Sequence, residues 1–299
     1  MSIQNVNGEE PPKWVVVIHG GAGDPTNWDD AKRNTRLNGL EQALRKGAEM
    51  LAEGATAVDT VQAVVQALED NPAFNAGRGA VLTKDGHAEL DASIMDGKTR
   101  SCGAIAGVTN VKNPIRLAKC VMTETKHVLL AGEGAEQFAA DQNQELVDPD
   151  YFLSSTHPDA NPDGLYLGTV GCVVLDQHGN LAAGTSTGGT PNKLPGRIGD
   201  SPIIGAGTYA ANDTCAVSGT GVGEEYIRNS VAYDVAAQMR YAGRSINDAV
   251  TQIMDQTLKP GVGGLIAVSR TGEIVMQHNT PGMSCGSADS KGRFETRLK

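Results

Sequence analysis

Four side-chain hydroxyls fall within one stretch, GTVGCVVLDQHGNLAAGTSTGG at 168–189: Thr169, Thr185, Ser186 and Thr187. A hydroxyl becomes a useful nucleophile only when a base is held beside it. The inner GTSTG fits G-x-S-x-G, the strand-to-helix elbow of a serine α/β-hydrolase, and HGGAG at 19–23 fits an oxyanion-loop pattern. That reading makes Ser186 the nucleophile, with Asp248 and His278 available to complete a triad. An elbow also needs a helix directly after its serine, and the residues there, within GGTPNKLPGRIGDSP, include prolines and glycines that do not continue as a helix. Asp248 reads more simply as the third residue of a helix capped by Ser245, and His278 as a solvated side chain at a strand end.

Thr169 stands directly after a glycine, where an irregular stretch ends and a strand begins, and the sequence offers it no histidine neighbour. Breaking the Gly168–Thr169 bond would create the missing base. The freed α-amine titrates at about 7.7–8.0 when unperturbed and sits on the same residue as the hydroxyl it deprotonates. Glycine at 168 suits an N-to-O acyl shift, which needs an unhindered carbonyl in a strained backbone. On this residue alone the plainer reading, a β-branched side chain opening a strand, stays open.

Other chemistries find less support. GAGTYA at 205–210 matches G-x-G-x-x-A, but a strand pattern comes after it where a dinucleotide site needs a helix, and no phosphate-loop motif occurs. None of the six histidines sits in a metal-ligand spacing. The formal net charge of -10 disfavours nucleic acid or an anionic membrane as partner. Five widely spaced cysteines without C-x-x-C read as buried thiols in a reducing compartment. The polar start MSIQNVNGEEPPK carries no signal-like segment, and no run approaches the roughly 18 apolar residues of a membrane span, so a soluble cytoplasmic protein is expected.

The elements that must position these residues follow from periodicity and turn chemistry. A strand is predicted at Trp14 to Ile18, then helices over Asp30 to Glu53 and Ala57 to Asp70, the second with Thr56 and Asp59 in a capping-box-like start. After the glycine-rich FNAGRG, GAVLTKDGHAELDASIMDG reads as a hairpin turning at Asp85-Gly86, and CGAIAGVTN as a further strand. A helix from Pro114 to Thr125, a strand at His127 to Ala131 and a helix from Glu133 to Asp141 come next. Periodicity is lost over about 143–168, rich in Pro, Asp, Ser and Asn, which reads as an exposed linker. Beyond it, strands are predicted over Val170 to Asp176, Asn180 to Thr185, Ile203 to Ala210 and Thr214 to Val217. Helices over Glu224 to Tyr241 and Ile246 to Leu258 come after them, and then a closing hairpin, GLIAVSRTGEIVMQHN. Both halves mix helices with hairpin-connected strands and lack regular strand-helix alternation, which favours antiparallel sheets between helix layers.

HGGAG at 19, FNAGRGAV at 74, ELDASIMDG at 89, GTVGCVVLD at 168, GTSTGGTPNKLPGRIGDSP at 184 and SGTGVGE at 218 together resemble the plant-type L-asparaginase and isoaspartyl aminopeptidase family of N-terminal nucleophile hydrolases. Glycosylasparaginases are similar at the threonine but typically carry TSTNG and a different loop before GRVGDSP. TSTGG with NKLPGR favours the plant-type branch over a glycosylasparaginase-like amidase. The resemblance implies an α+β chain with a four-layer αββα sandwich, 1–299 forming one domain made as a precursor. Cleavage between Gly168 and Thr169 would give an α subunit, 1–168, and a β subunit, 169–299. It implies Thr169 as nucleophile, Thr187 orienting it, Thr220 and the Gly221 N–H as oxyanion donors, and a contribution from the Asn75 amide. Donors in GTGVG ahead of a helix suit a developing oxyanion independently.

By the same resemblance Arg197 and Asp200, with Thr220, Gly221 and Gly223, hold the substrate. A guanidinium grips an α-carboxylate and a carboxylate an α-ammonium, so the pair would read the head of a free amino acid and leave the side-chain amide to be cut. Without the resemblance, Arg197 and Asp200 read as a surface ion pair. LEDNPAFNAGR at 68–78 resembles the family's alkali-metal loop, implying backbone carbonyls of Leu68, Glu69, Asn71, Phe74, Ala76 and Arg78 around sodium or potassium, with no organic cofactor. The carbonyls of an ordinary helix end are the alternative. The implied activity is release of aspartate from β-aspartyl dipeptides and L-asparagine by a homodimer of αβ units. Gly219 where relatives often have cysteine, Pro281 after Asn-Thr and a short linker are the departures.

Overall fold

The computed structural model describes residues 10–153 and 168–299. The strand β1 (Val15–Gly23) buries Val16 and Ile18 on one side and Val15 and Val17 on the other, within two separate cores. Such period-two burial on both faces is what a continuous apolar run gives at the centre of a layered structure. Around β1 lies an eight-stranded sheet whose further members are β2 (Leu90–Asp96), β3 (Cys102–Val108), β4 (Leu129–Ala131), β5 (Val170–Leu175), β6 (Leu181–Thr187), β11 (Gly282–Asp289) and β12 (Phe294–Arg297). Their order is β12-β11-β1-β5-β6-β2-β3-β4, antiparallel except at β3 and β4. A second, antiparallel sheet of β7 (Thr208–Ala210), β8 (Cys215–Gly221), β9 (Gly263–Ser269) and β10 (Ile274–His278) packs on it in the order β10-β9-β8-β7.

Helices α1 (Asp30–Ala52), α2 (Ala57–Glu69) and α3 (Pro114–Glu124) cover the outer face of the large sheet, while α4 (Gly132–Asp141) flanks its β4 edge. A short helix, α5 (Asp150–Leu153), precedes the undescribed stretch. On the small sheet's outer face lie α7 (Val231–Ala242) and α8 (Ile246–Gln252), with α6 (Gly223–Asn229) leading into them from β8. This is the four-layer αββα sandwich. Asp29, Thr56 and Ser245 cap α1, α2 and α8 through their side chains, as their positions before helical patterns predict.

The structure corrects the sequence reading in several places. The predicted helix over 224–241 is two helices, because Ser230 takes a left-handed φ of 47° between α6 and α7. The last helix loosens to a wider turn over Ile253–Thr257. Asp85 and Gly86 do form a turn, yet the arm before it pairs only through a Leu82–Ala88 bridge, since β2 finds its partners in β3 and β6. Of the predicted strand over 203–210 only Thr208–Ala210 is extended. The linker's first part is ordered by a Val111–Leu146 bridge and α5, and its remainder over 154–167 lies outside the described residues. The chain does not close with the β9–β10 hairpin: β11 and β12 come after it, and β11 pairs with β1, a partner more than 250 residues away that no local pattern announces. Among the described residues no helix is long and apolar enough to cross a membrane.

Candidate active site

The register of β5 against β6 sets Val170 opposite Ser186, so one step further out Thr169 faces Thr187. Thr169 donates its hydroxyl to Thr187 Oγ1 at 3.0 Å, and both are nearly enclosed. Thr187 also accepts the Gly189 N–H at 2.9 Å, which fixes its oxygen toward Thr169. Behind Thr169, Gly168 lies against Asn75, and a Cβ at 168 would stand 2.7 Å from Asn75 Cβ. Glycine is therefore the residue that this approach admits. Asn75 donates Nδ2 to the Gly189 carbonyl at 2.7 Å and accepts the Val81 N–H at 2.9 Å, so its amide ties the loop after Thr187 to the FNAGRG loop.

Thr220 and Gly221 end β8, whose strand packs on β5 and β6 from the small sheet. The Thr220 side chain is fully buried and accepts the Ala22 N–H of the HGGAG segment at 3.4 Å. Its carbonyl accepts the Tyr226 hydroxyl at 3.1 Å, which anchors the strand end to α6. Gly223 opens that helix, and a Cβ there would lie 2.7 Å from Asp200 Oδ1 and 3.0 Å from Arg197 Nη2. Arg197, Asp200 and Gly223 thus lie against one another.

Asp200 is buried, its Oδ2 has no hydrogen-bond partner, and burial pushes its carboxyl up to about 7. Nearby Arg197 works against that rise and Glu224 adds to it. Such a carboxylate is poised for a cation. Arg197 does not pair with Asp200, the alternative that the sequence left open. It donates Nε and Nη2 to the two carboxylate oxygens of Glu224 at 3.0 and 2.9 Å. Sequence reasoning missed Glu224, although an acidic residue in the first turn of a helix just after SGTG was in plain view.

The triad built on Ser186 is not formed. On β6 Ser186 alternates with Thr185 and Thr187 and faces the helix layer, where it is fully buried and donates to Glu69 Oε1 at 2.6 Å. Glu69 Oε1 also accepts the Ile115 N–H at the start of α3 at 2.9 Å. Burial outweighs these bonds and raises the Glu69 carboxyl to about 8. Asp248 caps α8 with Ser245, and His278 meets the Thr280 carbonyl at 2.8 Å on the other sheet. Ser186 is a tie between sheet and helices. Ser186→Ala should keep hydrolysis and lower stability by about 1–3 kcal/mol, the cost of taking a partner from a buried carboxyl. Loss of turnover with an unchanged melting temperature would restore the elbow.

A second residue that the sequence left aside is His19. Its Nδ1 lies 3.1 Å from the Thr169 carbonyl oxygen and its Nε2 3.0 Å from Ser218 Oγ. Burial holds the imidazole down at about 3, against a smaller rise from the Thr169 carbonyl, so it is neutral at physiological pH. It does not touch the Thr169 hydroxyl in any hydrogen bond, and is no base for it. The five cysteines are all free thiols.

The loop after α2 is a run of tight turns. Carbonyls of Leu68, Asn71, Phe74 and Ala76 each accept one backbone N–H within it, from Asn71, Phe74, Ala76 and Gly79. Each carbonyl keeps a second lone pair, and the uncharged oxygens there suit a monovalent hard cation. Glu69 and Arg78 lie in the same segment, with Gly77 folded onto the Glu69 carbonyl. No cluster of three acidic, histidine or cysteine side chains suited to a metal occurs among the described residues.

The profile of the asparaginase family matches residues 12–163 and 154–298, so it extends over the C-terminal segment as well. The chain is 44% identical over 293 residues to an isoaspartyl peptidase of Escherichia coli, covering 91% of both chains. It is 42% identical over 321 residues to a probable isoaspartyl peptidase/L-asparaginase of Arabidopsis thaliana, covering 95% of this chain and 98% of the relative. With the isoaspartyl peptidase/L-asparaginase of Homo sapiens identity is 40% over 298 residues, covering 94% and 95%.

Proposed function

The chain belongs to the asparaginase family, and on that premise we propose that it is an autoprocessing threonine hydrolase that releases aspartate from β-aspartyl dipeptides and L-asparagine. The observation that carries this reading is the buried Thr169 hydroxyl, directly after Gly168 and bonded to Thr187 at 3.0 Å. In maturation Thr169 Oγ adds to the Gly168 carbonyl carbon, the Gly168–Thr169 C–N bond breaks, and the nitrogen takes the hydroxyl proton. Water then hydrolyses the ester, leaving a Gly168 carboxylate and a Thr169 that bears both hydroxyl and amine.

In turnover the same hydroxyl attacks the substrate side-chain carbonyl with the amine as base. Thr220 and the Gly221 N–H receive the oxyanion, Asp200 takes the α-ammonium and Arg197 the α-carboxylate. Ammonia or an amino acid leaves, and water cleaves the β-aspartyl ester. The unpartnered Asp200 oxygen supports this placement. We include in the proposal an alkali cation on the carbonyls of Leu68, Glu69, Asn71, Phe74, Ala76 and Arg78, which would stiffen the loop that carries Asn75. A pair of αβ units and a cytoplasmic setting complete it, the first resting on the family resemblance and the second on five free thiols.

The purified protein should run as two fragments on a denaturing gel, the shorter beginning Thr-Val-Gly-Cys by N-terminal sequencing. Kinetics on β-aspartyl dipeptides and asparagine then rank the substrates. One uncleaved band with full amidase activity would overturn the mechanism.

A further inference from the structure

His19 belongs to a line of buried polar side chains that crosses from one sheet to the other. Ser218 Oγ on β8 lies 2.7 Å from Thr185 Oγ1 on β6, Thr208 on β7 donates to Thr185 at 2.6 Å, and Ser93 on β2 donates to Thr208 at 2.8 Å. All five side chains are fully buried. The direction of each proton is fixed from the Thr169 end. A carbonyl only accepts, so His19 Nδ1 carries the proton; the neutral ring then accepts at Nε2, which makes Ser218 the donor. Ser218 has spent its one proton, so Thr185 donates to it, and Thr208 to Thr185. Ser93 ends the line, its one proton shared between Thr208 Oγ1 at 2.8 Å and the Ser201 carbonyl at 2.6 Å.

The nucleophile's own strand makes room for this line. A Cβ at Gly171 would lie 2.0 Å from Ser218 Oγ and 2.3 Å from His19 Nε2. Thr185, in the line, and Thr187, on the nucleophile, share one face of β6. The Thr169 residue is thereby held at both ends, its hydroxyl by Thr187 and its carbonyl by His19.

We propose that His19 is a positioning residue for Thr169: its Nδ1–H, oriented by Ser218, Thr185, Thr208 and Ser93, fixes the peptide on the C-terminal side of the nucleophile and so sets the rates of chain cleavage and turnover without touching substrate. The proposal rests on Thr169 being the nucleophile. It predicts effects on maturation and kcat and none on KM, because the Thr169 carbonyl keeps the same partner before and after cleavage while Arg197 and Asp200 hold the substrate.

The test uses the full chain as wild type, His19→Asn, His19→Gln, Ser218→Ala and Thr169→Ala. Asparagine places an amide N–H near the Nδ1 position and should mature within roughly tenfold of wild type. Glutamine places its amide near Nε2, loses the donor to Thr169, and should mature and turn over about 100-fold more slowly, the penalty of a nucleophile misplaced by about 1 Å. Ser218→Ala leaves His19 in place without its orienting donor and should cost roughly tenfold in both rates. KM for a β-aspartyl dipeptide should stay within about twofold in every variant that matures. Should glutamine fail to fold, as judged by circular dichroism, Ser218→Ala decides. The proposal is overturned if glutamine or Ser218→Ala matures and turns over like wild type, if asparagine and glutamine lose equally, or if KM moves in place of kcat. A wild type that stays one band, like Thr169→Ala, removes the nucleophile itself and the proposal with it.

Discussion

Thr169→Ala should remain a single chain on a denaturing gel and lose hydrolysis by on the order of 10⁴-fold or more. The loss is that large because one substitution removes two functions. Without the hydroxyl no N-to-O acyl shift occurs at Gly168, and without the shift the α-amine that serves as base is never released. The pocket itself would survive: Thr187 keeps the Gly189 N–H, and Thr220, Arg197 and Asp200 are untouched. Substrate should therefore still bind, measurable by calorimetry on the uncleaved variant. Thr169→Ser separates hydroxyl from methyl. It keeps nucleophile and base chemistry while losing the stiff β-branched χ1 that aims the oxygen at Thr187, so slow cleavage and reduced kcat are expected. Cleavage of the alanine variant at 168–169 would show that another group attacks Gly168.

The outer helices and the β5–β6 pairing were legible because period and capping chemistry are local. Thr187 beside Thr169 came from the family resemblance, since the strand pattern ends at Thr185, and the β5–β6 register is what sets the two face to face. What escaped was long-range. His19 meets Thr169 from 150 residues away and Ser218 from 199. HGGAG was visible as a motif, yet its histidine has meaning only once β1 lies beside β5. Arg197 and Asp200 were named together, but spacing alone suggested that they pair with each other. The fold instead brings Glu224 to the guanidinium and leaves Asp200 Oδ2 without a hydrogen-bond partner, an outcome decided by where α6 starts. Ser186 misled for a related reason: G-x-S-x-G is a statement about sequence, whereas strand alternation turns that hydroxyl to Glu69.

Asp200→Asn should lower kcat/KM by about 2–5 kcal/mol, roughly 30- to 4,000-fold, the range seen when one partner of a buried charge pair is removed. It should also change the shape of the pH profile. Two groups must be deprotonated before free enzyme meets substrate: the Thr169 amine, ordinarily at about 7.7–8.0, and the Asp200 carboxyl, which burial raises to about 7. The sign follows from their roles. Below about 7 Asp200 is protonated and neutral and cannot hold an α-ammonium, while below its own pKa the amine is charged and cannot take the Thr169 proton. Log kcat/KM of the wild type should then rise with a slope approaching two in the acid limb and bend toward one between the two ionisations. In kcat only the amine should show, because a bound ammonium beside Asp200 pulls that carboxyl back toward its ordinary range. Asparagine at 200 removes one ionisation, leaving a slope of one in both profiles. Folding offers the control. A carboxyl whose pKa is raised by burial stabilises the fold less as pH rises through about 7, so the asparagine variant should be at least as stable as wild type at pH 8. A slope of two that survives in Asp200→Asn would assign the second ionisation elsewhere and return the α-ammonium to an unidentified partner.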